Sequence, residues 1–189
     1  PEYWPNVPSK DGTTPQSAIM VTDPYTGYVL GVYGGLGEKE KSRSWSRATD
    51  STRQPGSTMK PLAAYAPALE AGLITPYSTA TDMPVDVLNG NPWPKNYDQS
   101  SAGYRGQVSI MYAVQNSLNT VPAALVTQMG ADYCFDFAKY KMGLSTLVEE
   151  VTVGDQVKSD NFAASMALGG LTHGVTVRDM CDAYSIFTN

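Results

Sequence analysis

The chain has 189 residues, of which 42% are hydrophobic and 16% are charged, and its formal net charge is −5 at pH 7. This length predicts one domain that is large enough to bury a core. A net negative charge without a basic cluster excludes nucleic-acid binding as a function class. No apolar run has the length of a membrane span, and no signal peptide is visible.

The first elements in the chain are a linker and a hairpin. Residues 1–16 are rich in Pro, Ser and Thr, and we interpret them as a linker ahead of a domain at 17–189. Within that domain, residues 17–22 and 28–33 read as strands around an Asp-Pro-Tyr-Thr-Gly segment. A turn-forming centre between two such runs predicts an antiparallel hairpin.

A serine and a lysine three positions later stand directly after a Pro-Gly turn signal. The small-residue run that follows predicts a helix ending at Gly72. Pro61 is tolerated only in the first turn of a helix, so this helix begins close to Ser57. Residues i and i+3 share a helix face, which places Lys60 beside Ser57. The helix N-terminus also favours developing negative charge there.

Residues 75–107 carry many Pro, Gly, Asn and Ser residues and read as a long functional loop. The Trp-Pro-Lys-Asn-Tyr stretch at 93–97 either lines a substrate cleft or anchors this loop. The rest of the chain is mainly helical, with helices expected at 109–117, 120–129, 132–142, 162–168 and 177–187.

A second short motif, Ser117-Leu118-Asn119, follows 60 residues after Ser57. An SxxK pair followed by SxN begins an active-site serine acyl-transfer set, which normally closes with a Lys-Thr-Gly strand. No Lys-Thr-Gly or Lys-Ser-Gly occurs in the chain. SxN also occurs at Ser159-Asp160-Asn161, where Asp160 and Asn161 precede a helical run and are interpreted as its caps.

The sequence around these motifs resembles the transpeptidase domain of class A, bifunctional penicillin-binding proteins. The segment Arg-Gln-Pro-Gly-Ser-Thr-Met-Lys-Pro at 53–61 carries the resemblance. The hairpin, the Tyr-Arg-Gly-Gln-Val-Ser segment at 104–109 and the Ala-Leu-Gly-Gly segment at 167–170 agree in the same order. The similarity covers nearly the whole chain from about Ser17 onward and stops before the Lys-Thr-Gly motif.

The resemblance implies a fold of the α/β class, the penicillin-binding/β-lactamase-like transpeptidase fold. In this fold a helical lobe packs beside a five-stranded antiparallel sheet. Two N-terminal strands of that sheet are visible in the sequence, so the sheet is expected to be incomplete and 17–189 to be a partial transpeptidase domain.

The resemblance also implies a mechanism for a serine D,D-transpeptidase. Ser57 attacks the carbonyl between two terminal D-alanines of a peptidoglycan stem peptide, and Lys60 serves as its base. Ser117 relays a proton to the leaving amine, and Asn119 holds a substrate amide and orients Lys60. Acyl transfer needs its groups within hydrogen-bond reach, so we expect these four catalytic residues to converge.

Partners and location follow from the same resemblance. The partners are stem peptides ending in D-Ala-D-Ala and β-lactam antibiotics, which acylate the same serine. The family acts outside the cytoplasm at the outer face of the cell membrane. Membrane contact is expected only through an anchor absent from this chain, with a glycosyltransferase domain upstream of Pro1.

We expect no cofactor and no metal, because two cysteines and one distant histidine make no ligand spacing. His173 lies apart from both motifs along the chain, and we assign it a structural role. Cys134 and Cys181 are either two buried small hydrophobic residues or a disulfide.

The sequence also allows two alternative functions. One is a hydrolase of the D,D-carboxypeptidase or β-lactamase type, although no acidic residue is placed by sequence to activate water. The other is a non-catalytic sensor of β-lactams or muropeptides.

A cleft without the Lys-Thr-Gly strand lacks an oxyanion donor and a substrate-binding lysine. We therefore expect the 189-residue form to be acylated poorly or to be inactive.

Overall fold

The computed structural model describes residue 12 and residues 15–37, 42–97 and 103–188. It contains two compact units, of which the second is Arg53–Val175 and the first holds the residues before and after it. The predicted linker at 1–16 lies almost entirely outside the described residues, so the domain boundaries stay a prediction.

Helices and short strands alternate along the described chain. The strands are β1 (Ile19–Thr22), β2 (Val29–Tyr33), β3 (Thr52–Arg53), β4 (Thr79–Asp82), β5 (Asp86–Leu88), β6 (Asn91–Trp93), β7 (Gly106–Ser109), β8 (Val151–Val153), β9 (Gln156–Lys158) and β10 (Val175–Thr176). The helices are α1 (Ala66–Glu70), α2 (Ile110–Gln115), α3 (Thr120–Met129), α4 (Ala131–Asp136), α5 (Ala163–Leu168) and α6 (Val177–Tyr184). Short 3₁₀ turns (Gly56–Thr58, Ser185–Thr188) and π-helical segments (Pro61–Tyr65, Phe137–Lys141) accompany them.

The first unit contains the predicted hairpin and the last helix. Strands β1 and β2 pair antiparallel, with Ile19 opposite Tyr33. The carboxylate of Asp23 accepts hydrogen bonds from the backbone N–H groups of Tyr25 and Thr26, which closes the turn between the strands. The hairpin prediction is therefore confirmed, with strands shorter by one or two residues.

The prediction of a long loop at 75–107 is wrong. Strand β4 pairs antiparallel with β7, and β5 pairs antiparallel with β6. Asn89 and Gly90 link β5 to β6 with φ of 52° and 77°. An Asn-Gly pair with positive φ at both positions is the preferred two-residue hairpin turn. This signal stands in the sequence but is obscured by the Pro- and Gly-rich composition around it.

The C-terminal half is mainly helical, as predicted, and α3 has the expected bounds. One further hairpin, β8–β9, was missed, and it turns at Gly154, where φ is 63°. The side chain of Ser109 accepts a hydrogen bond from the N–H of Tyr112 and caps α2. No helix among the described residues is long and apolar enough to cross a membrane.

The expected cap of α5 is also wrong. Helix α5 begins after Phe162, and no side chain caps it. Asp160 is buried, and its carboxylate instead accepts hydrogen bonds from the N–H groups of Val148 and Thr172. The amide of Asn161 donates to Asp132 in the first turn of α4. A buried carboxylate needs donors wherever it lies, and here two loop N–H groups satisfy it.

A hydrophobic core in the second unit holds α2 and α3 against the helical stretch that ends in α1. Its members are Tyr65, Ala68, Ile74, Ile110, Ala113, Leu118, Val121 and Leu125. Leu118 is the central residue of the SxN motif, so its burial anchors that motif to the core. The combination of helices with short antiparallel sheets agrees with the expected α/β class.

Candidate active site

Lys60 lies inside a helical stretch that begins with the 3₁₀ turn at Gly56–Thr58 and continues through a π-helical segment into α1. Its neighbour Met59 is fully buried, and Lys60 itself is only 3% exposed. Single π-helical turns are rare and occur often at functional sites. The start of this stretch near Ser57 confirms the expected helix start.

The ammonium group of Lys60 joins the two motifs. Nζ donates hydrogen bonds to the backbone oxygen of Ser117 at 2.6 Å, to its Oγ at 3.1 Å and to Oδ1 of Asn119 at 2.6 Å. An ammonium group has three donors, and these three acceptors use all of them. The structure thus brings Lys60, Ser117 and Asn119 together across 57 and 59 positions of sequence.

Burial lowers the pKa of Lys60 from 10.5 to about 8. The cause is desolvation, which disfavours the charged form of a buried amine. With this pKa, about a tenth of the molecules carry a neutral Lys60 amine at pH 7. A neutral amine has a lone pair, and the hydroxyl of Ser117 is the neighbour that is able to donate a proton to it.

Ser117 has a left-handed backbone conformation, with φ of 49°. Non-glycine residues adopt this region at a cost of about 1–2 kcal/mol, and such strain is concentrated at functional sites. In this conformation both the backbone oxygen and the hydroxyl of Ser117 reach Lys60. The buried side chain of Leu118, which is 2% exposed, holds the turn in place.

Ser57 is exposed in the 3₁₀ turn one helical turn before Lys60. No hydrogen bond joins its hydroxyl to another described residue. The structure therefore links three of the four expected catalytic residues directly and leaves the Ser57 hydroxyl open to solvent. Hydrogen bonds of catalytic groups are often long before a substrate binds. The catalytic roles of all four residues stay predictions.

The side chain of Gln54 bonds the segment before Ser57 to the backbone of Leu171. Its side-chain amide donates to the backbone oxygen of Leu171 at 2.6 Å and accepts from the N–H of Leu171 at 2.7 Å. This reciprocal pair joins residues 117 positions apart. It holds the backbone three residues before Ser57 against the loop that follows α5.

Two glycines in that loop allow close backbone contact with the serine segment. The N–H of Gly56 donates to the oxygen of Gly169 at 3.2 Å. A Cβ on Gly169 would overlap the backbone oxygen of Gly56, and a Cβ on Gly174 would lie 2.5 Å from the oxygen of Arg53. The sequence alone does not predict this role for either glycine, because their neighbours in space are far away along the chain.

Asn119 is held by the Trp-Pro-Lys-Asn-Tyr stretch. Its backbone N–H donates to Oδ1 of Asn96 at 2.8 Å, and its Nδ2 donates to the backbone oxygen of Lys95 at 2.7 Å. These contacts place the stretch against the candidate site. The two alternatives for Trp93, lining a substrate cleft or anchoring the loop, both stay predictions.

The second SxN motif makes different contacts. Within the described residues, the side chains of Asp160 and Asn161 bond to Val148, Thr172 and Asp132, and none of them bonds to Lys60. Hydrogen bonding thus favours Ser117 and Asn119 as the partners of Lys60.

We expect Asn119→Ala and Asn161→Ala to affect different properties. Asn119→Ala removes an acceptor of Lys60 and should slow acylation by penicillin by about 10-fold or more. Asn161→Ala removes one hydrogen bond to Asp132 and should cost about 1 kcal/mol of stability without changing the rate of acylation. Fluorescent-penicillin labelling and urea denaturation measure the two effects. An Asn161→Ala variant that folds but loses labelling would contradict the choice of motif.

No disulfide joins the two cysteines. Cys134 is buried in the second unit, and both cysteines are free. Burial raises the pKa of the Cys134 thiol to about 12. Among the described residues, no group of three or more His, Cys, Asp and Glu side chains is placed to hold a metal ion.

Proteins with similar sequences are penicillin-binding proteins. Penicillin-binding protein 2a of Streptococcus pneumoniae is 34% identical over 96% of this chain, which corresponds to 23% of that protein. Penicillin-binding protein 1A of Clostridium tetani is 31% identical over 93% of this chain and 22% of its own length. The chain thus spans less than a quarter of these relatives.

Solved structures agree at the level of the fold. The crystal structure of penicillin-binding protein 1A from Haemophilus influenzae superposes with a TM-score of 0.70 at 24% identity, over 96% of this chain and 26% of that one. The family model of the penicillin binding protein transpeptidase domain matches residues 17–189. This chain therefore belongs to the transpeptidase-domain family of the penicillin-binding proteins, as its resemblance to the class A members predicted.

Proposed function

We propose that this chain carries the acyl-enzyme chemistry of a serine D,D-transpeptidase that cross-links peptidoglycan stem peptides. The observation that carries the proposal is the buried Lys60, whose Nζ bonds to both Ser117 and Asn119. A buried amine with a lowered pKa beside a serine is the arrangement that nucleophile activation requires. The family membership supplies the reaction class.

In this mechanism neutral Lys60 removes the proton of the Ser57 hydroxyl as Ser57 Oγ attacks the carbonyl of the penultimate D-alanine. The C–N bond to the terminal D-alanine then breaks, and Ser117 passes a proton from Lys60 to the leaving amine. The amine of a second stem peptide then attacks the acyl carbon, the ester bond to Ser57 Oγ breaks, and a proton from that amine passes back to Ser57 Oγ, which leaves the cross-linked amide and the free hydroxyl. Asn119 holds a substrate amide and orients Lys60.

The oxyanion that forms during attack needs donors at the helix start. The backbone N–H of Ser57 is one candidate donor, and backbone N–H groups serve this role in acyl transfer. A β-lactam presents a strained amide in place of the D-Ala-D-Ala bond and acylates the same serine. We therefore propose stem peptides and β-lactams as the partners of this site, and the outer face of the cell membrane as its location.

The direct test is the position of a penicillin adduct. Penicillin should add its full mass to the chain, peptide mapping should place the adduct on Ser57, and Ser57→Ala should abolish it. Ser159→Ala, in the second SxN motif, is the matched control and should label like the unmodified chain. An adduct on another residue contradicts the proposal, and an adduct that hydrolyses rapidly favours a β-lactamase-type hydrolase instead.

We also propose that the 189-residue form reacts slowly, since no Lys-Thr-Gly or Lys-Ser-Gly segment occurs in it. Loss of one oxyanion donor typically costs about 10²–10³ in rate. A longer form that includes such a segment should therefore label about 10²–10³ times faster with the same penicillin. Equal rates for the two forms would show that the third motif is dispensable.

A further inference from the structure

The buried carboxylate of Asp82 has no role in the proposed mechanism. Asp82, at the end of β4, is fully buried. Its Oδ1 accepts hydrogen bonds from the hydroxyl of Thr120 at 2.6 Å and from Nδ2 of Asn96 at 2.7 Å, and its Oδ2 accepts one from the N–H of Arg105 at 3.0 Å. The guanidinium of Arg105 lies 3.9 Å away. A buried charge is tolerated when it is paired and hydrogen-bonded in this way.

These contacts keep Asp82 ionised. Burial alone would raise its pKa, but the hydrogen bonds from Thr120, Arg105 and Asn96 and the charge of Arg105 together hold the pKa below its ordinary value of 3.8. An ionised carboxylate accepts hydrogen bonds and donates none. Every group that contacts Asp82 must therefore turn a donor toward it.

This requirement fixes the orientation of Asn96. Its Nδ2 must point to Asp82, so its Oδ1 points away and accepts the N–H of Asn119 at 2.8 Å. Asn96 is only 5% exposed, so no bulk water competes for either end of its amide. The other amide orientation would place an N–H donor against the Asn119 N–H and an oxygen against the carboxylate.

The orientation of the Asn119 amide is fixed in the same way. The backbone oxygen of Lys95 accepts from Nδ2 of Asn119 at 2.7 Å, which leaves Oδ1 of Asn119 as the end that faces Lys60 Nζ at 2.6 Å. Asn119 also occupies the N-cap position of α3, yet its side chain makes no capping hydrogen bond. A capping Asn side chain normally stabilises its helix, whereas this one bonds to Lys60 and Lys95 instead.

We propose that Asp82, Asn96 and Thr120 form a positioning unit that fixes the position and orientation of Asn119 and, through it, the Lys60 amine. The inference rests on the proposed function, because it deepens the role of Asn119 in that site. None of the three residues is proposed to touch substrate. They act through Asn119, by fixing its backbone N–H through Asn96 and the start of α3 through Thr120.

The test compares variants of the positioning unit with a control of equal burial. Asn96→Ala should slow acylation by penicillin about 10-fold or more, because small displacements of catalytic groups are costly. In the same variant, the NMR signals of the Asn119 side-chain amide should shift, and the amide should lose protection from hydrogen exchange. Thr120→Val, which removes the hydroxyl at constant volume, should do the same more weakly, and Thr120→Ser should restore the unmodified values.

Asp160→Asn is the matched control. Asp160 is 1% exposed, and its carboxylate accepts hydrogen bonds from two backbone N–H groups. Neither donor belongs to a residue that contacts Lys60 or Asn119. This variant should lose stability while the side-chain amide signals of Asn119 keep their positions and their protection from hydrogen exchange, because the two sites share no hydrogen-bond partner. Equal changes in Asp160→Asn and Asn96→Ala would overturn the inference, since they would indicate general loosening.

The NMR signals separate this inference from the proposed function. If the unmodified chain never forms a Ser57 adduct but the Asn119 signals respond to Asn96→Ala and Thr120→Val, the positioning unit stands and the proposed function fails. If adducts form normally and the Asn119 signals do not respond to either variant, the positioning unit is overturned and the proposed function stands.

Discussion

Lys60→Met should slow acylation of Ser57 by penicillin by about 10²–10⁴-fold, the contribution expected of a positioned general base. Methionine approximates the apolar stem of the buried lysine but has no lone pair to accept the Ser57 proton. It also leaves the backbone oxygen of Ser117 and Oδ1 of Asn119 without the donor they have now. The second-order rate constant, measured by fluorescent-penicillin labelling or intact mass, gives the result.

The control for this variant is Lys158→Met, in the exposed strand β9, which should label at the unmodified rate. The pH profile gives a second check. Because Lys60 acts as a base only when neutral and its pKa is about 8, the rate should rise about tenfold per unit below pH 8 and level off above it. A flat profile between pH 6 and 10 in the unmodified chain would contradict Lys60 as the base.

Gly169→Ala should destabilise the chain by about 2–5 kcal/mol, the sum expected for overpacking and for a left-handed non-glycine residue. Gly169 has a φ of 70°, and a Cβ there would overlap the backbone oxygen of Gly56. That oxygen belongs to backbone, so relief requires the serine segment itself to move. A shift of the urea midpoint measures the loss, and slower penicillin labelling of the folded fraction should accompany it.

Gly170→Ala is the control at the adjacent position. A Cβ on Gly170 meets nothing within 4 Å, and its φ lies outside the left-handed region. Its urea midpoint should stay close to that of the unmodified chain. Equal midpoints for Gly169→Ala and Gly170→Ala would show that the backbone contact with Gly56 is not a constraint.

Local patterns predicted the elements whose signals are contained within a few residues. The hairpin around Asp23, the helix start near Ser57 and helix α3 all follow from turn residues, proline placement and apolar spacing. Two hairpins were missed because their short strands carry little apolar alternation, so that composition outweighed the Asn-Gly and Gly-Asp turn signals.

The hydrogen-bond partners of polar side chains were the least predictable feature. Asp160 was expected to cap a helix from its position in sequence, whereas its carboxylate bonds to the N–H groups of Val148 and Thr172. A cap prediction considers only the next few residues. A buried carboxylate is satisfied by whichever donors the fold brings near, and those lie elsewhere in the chain.

The sequence by itself determined the family of this protein and the four residues proposed for its chemistry, since both depend on residue types at fixed local spacing. Only the tertiary structure showed that Lys60 bonds to Ser117 and Asn119, that the Asn96 amide links Asp82 to Asn119, and that Gly169 lies against the backbone of Gly56. The reason is physical. Burial, amide orientation and backbone clearance arise between segments that are distant along the chain, and no local pattern encodes their distance in space.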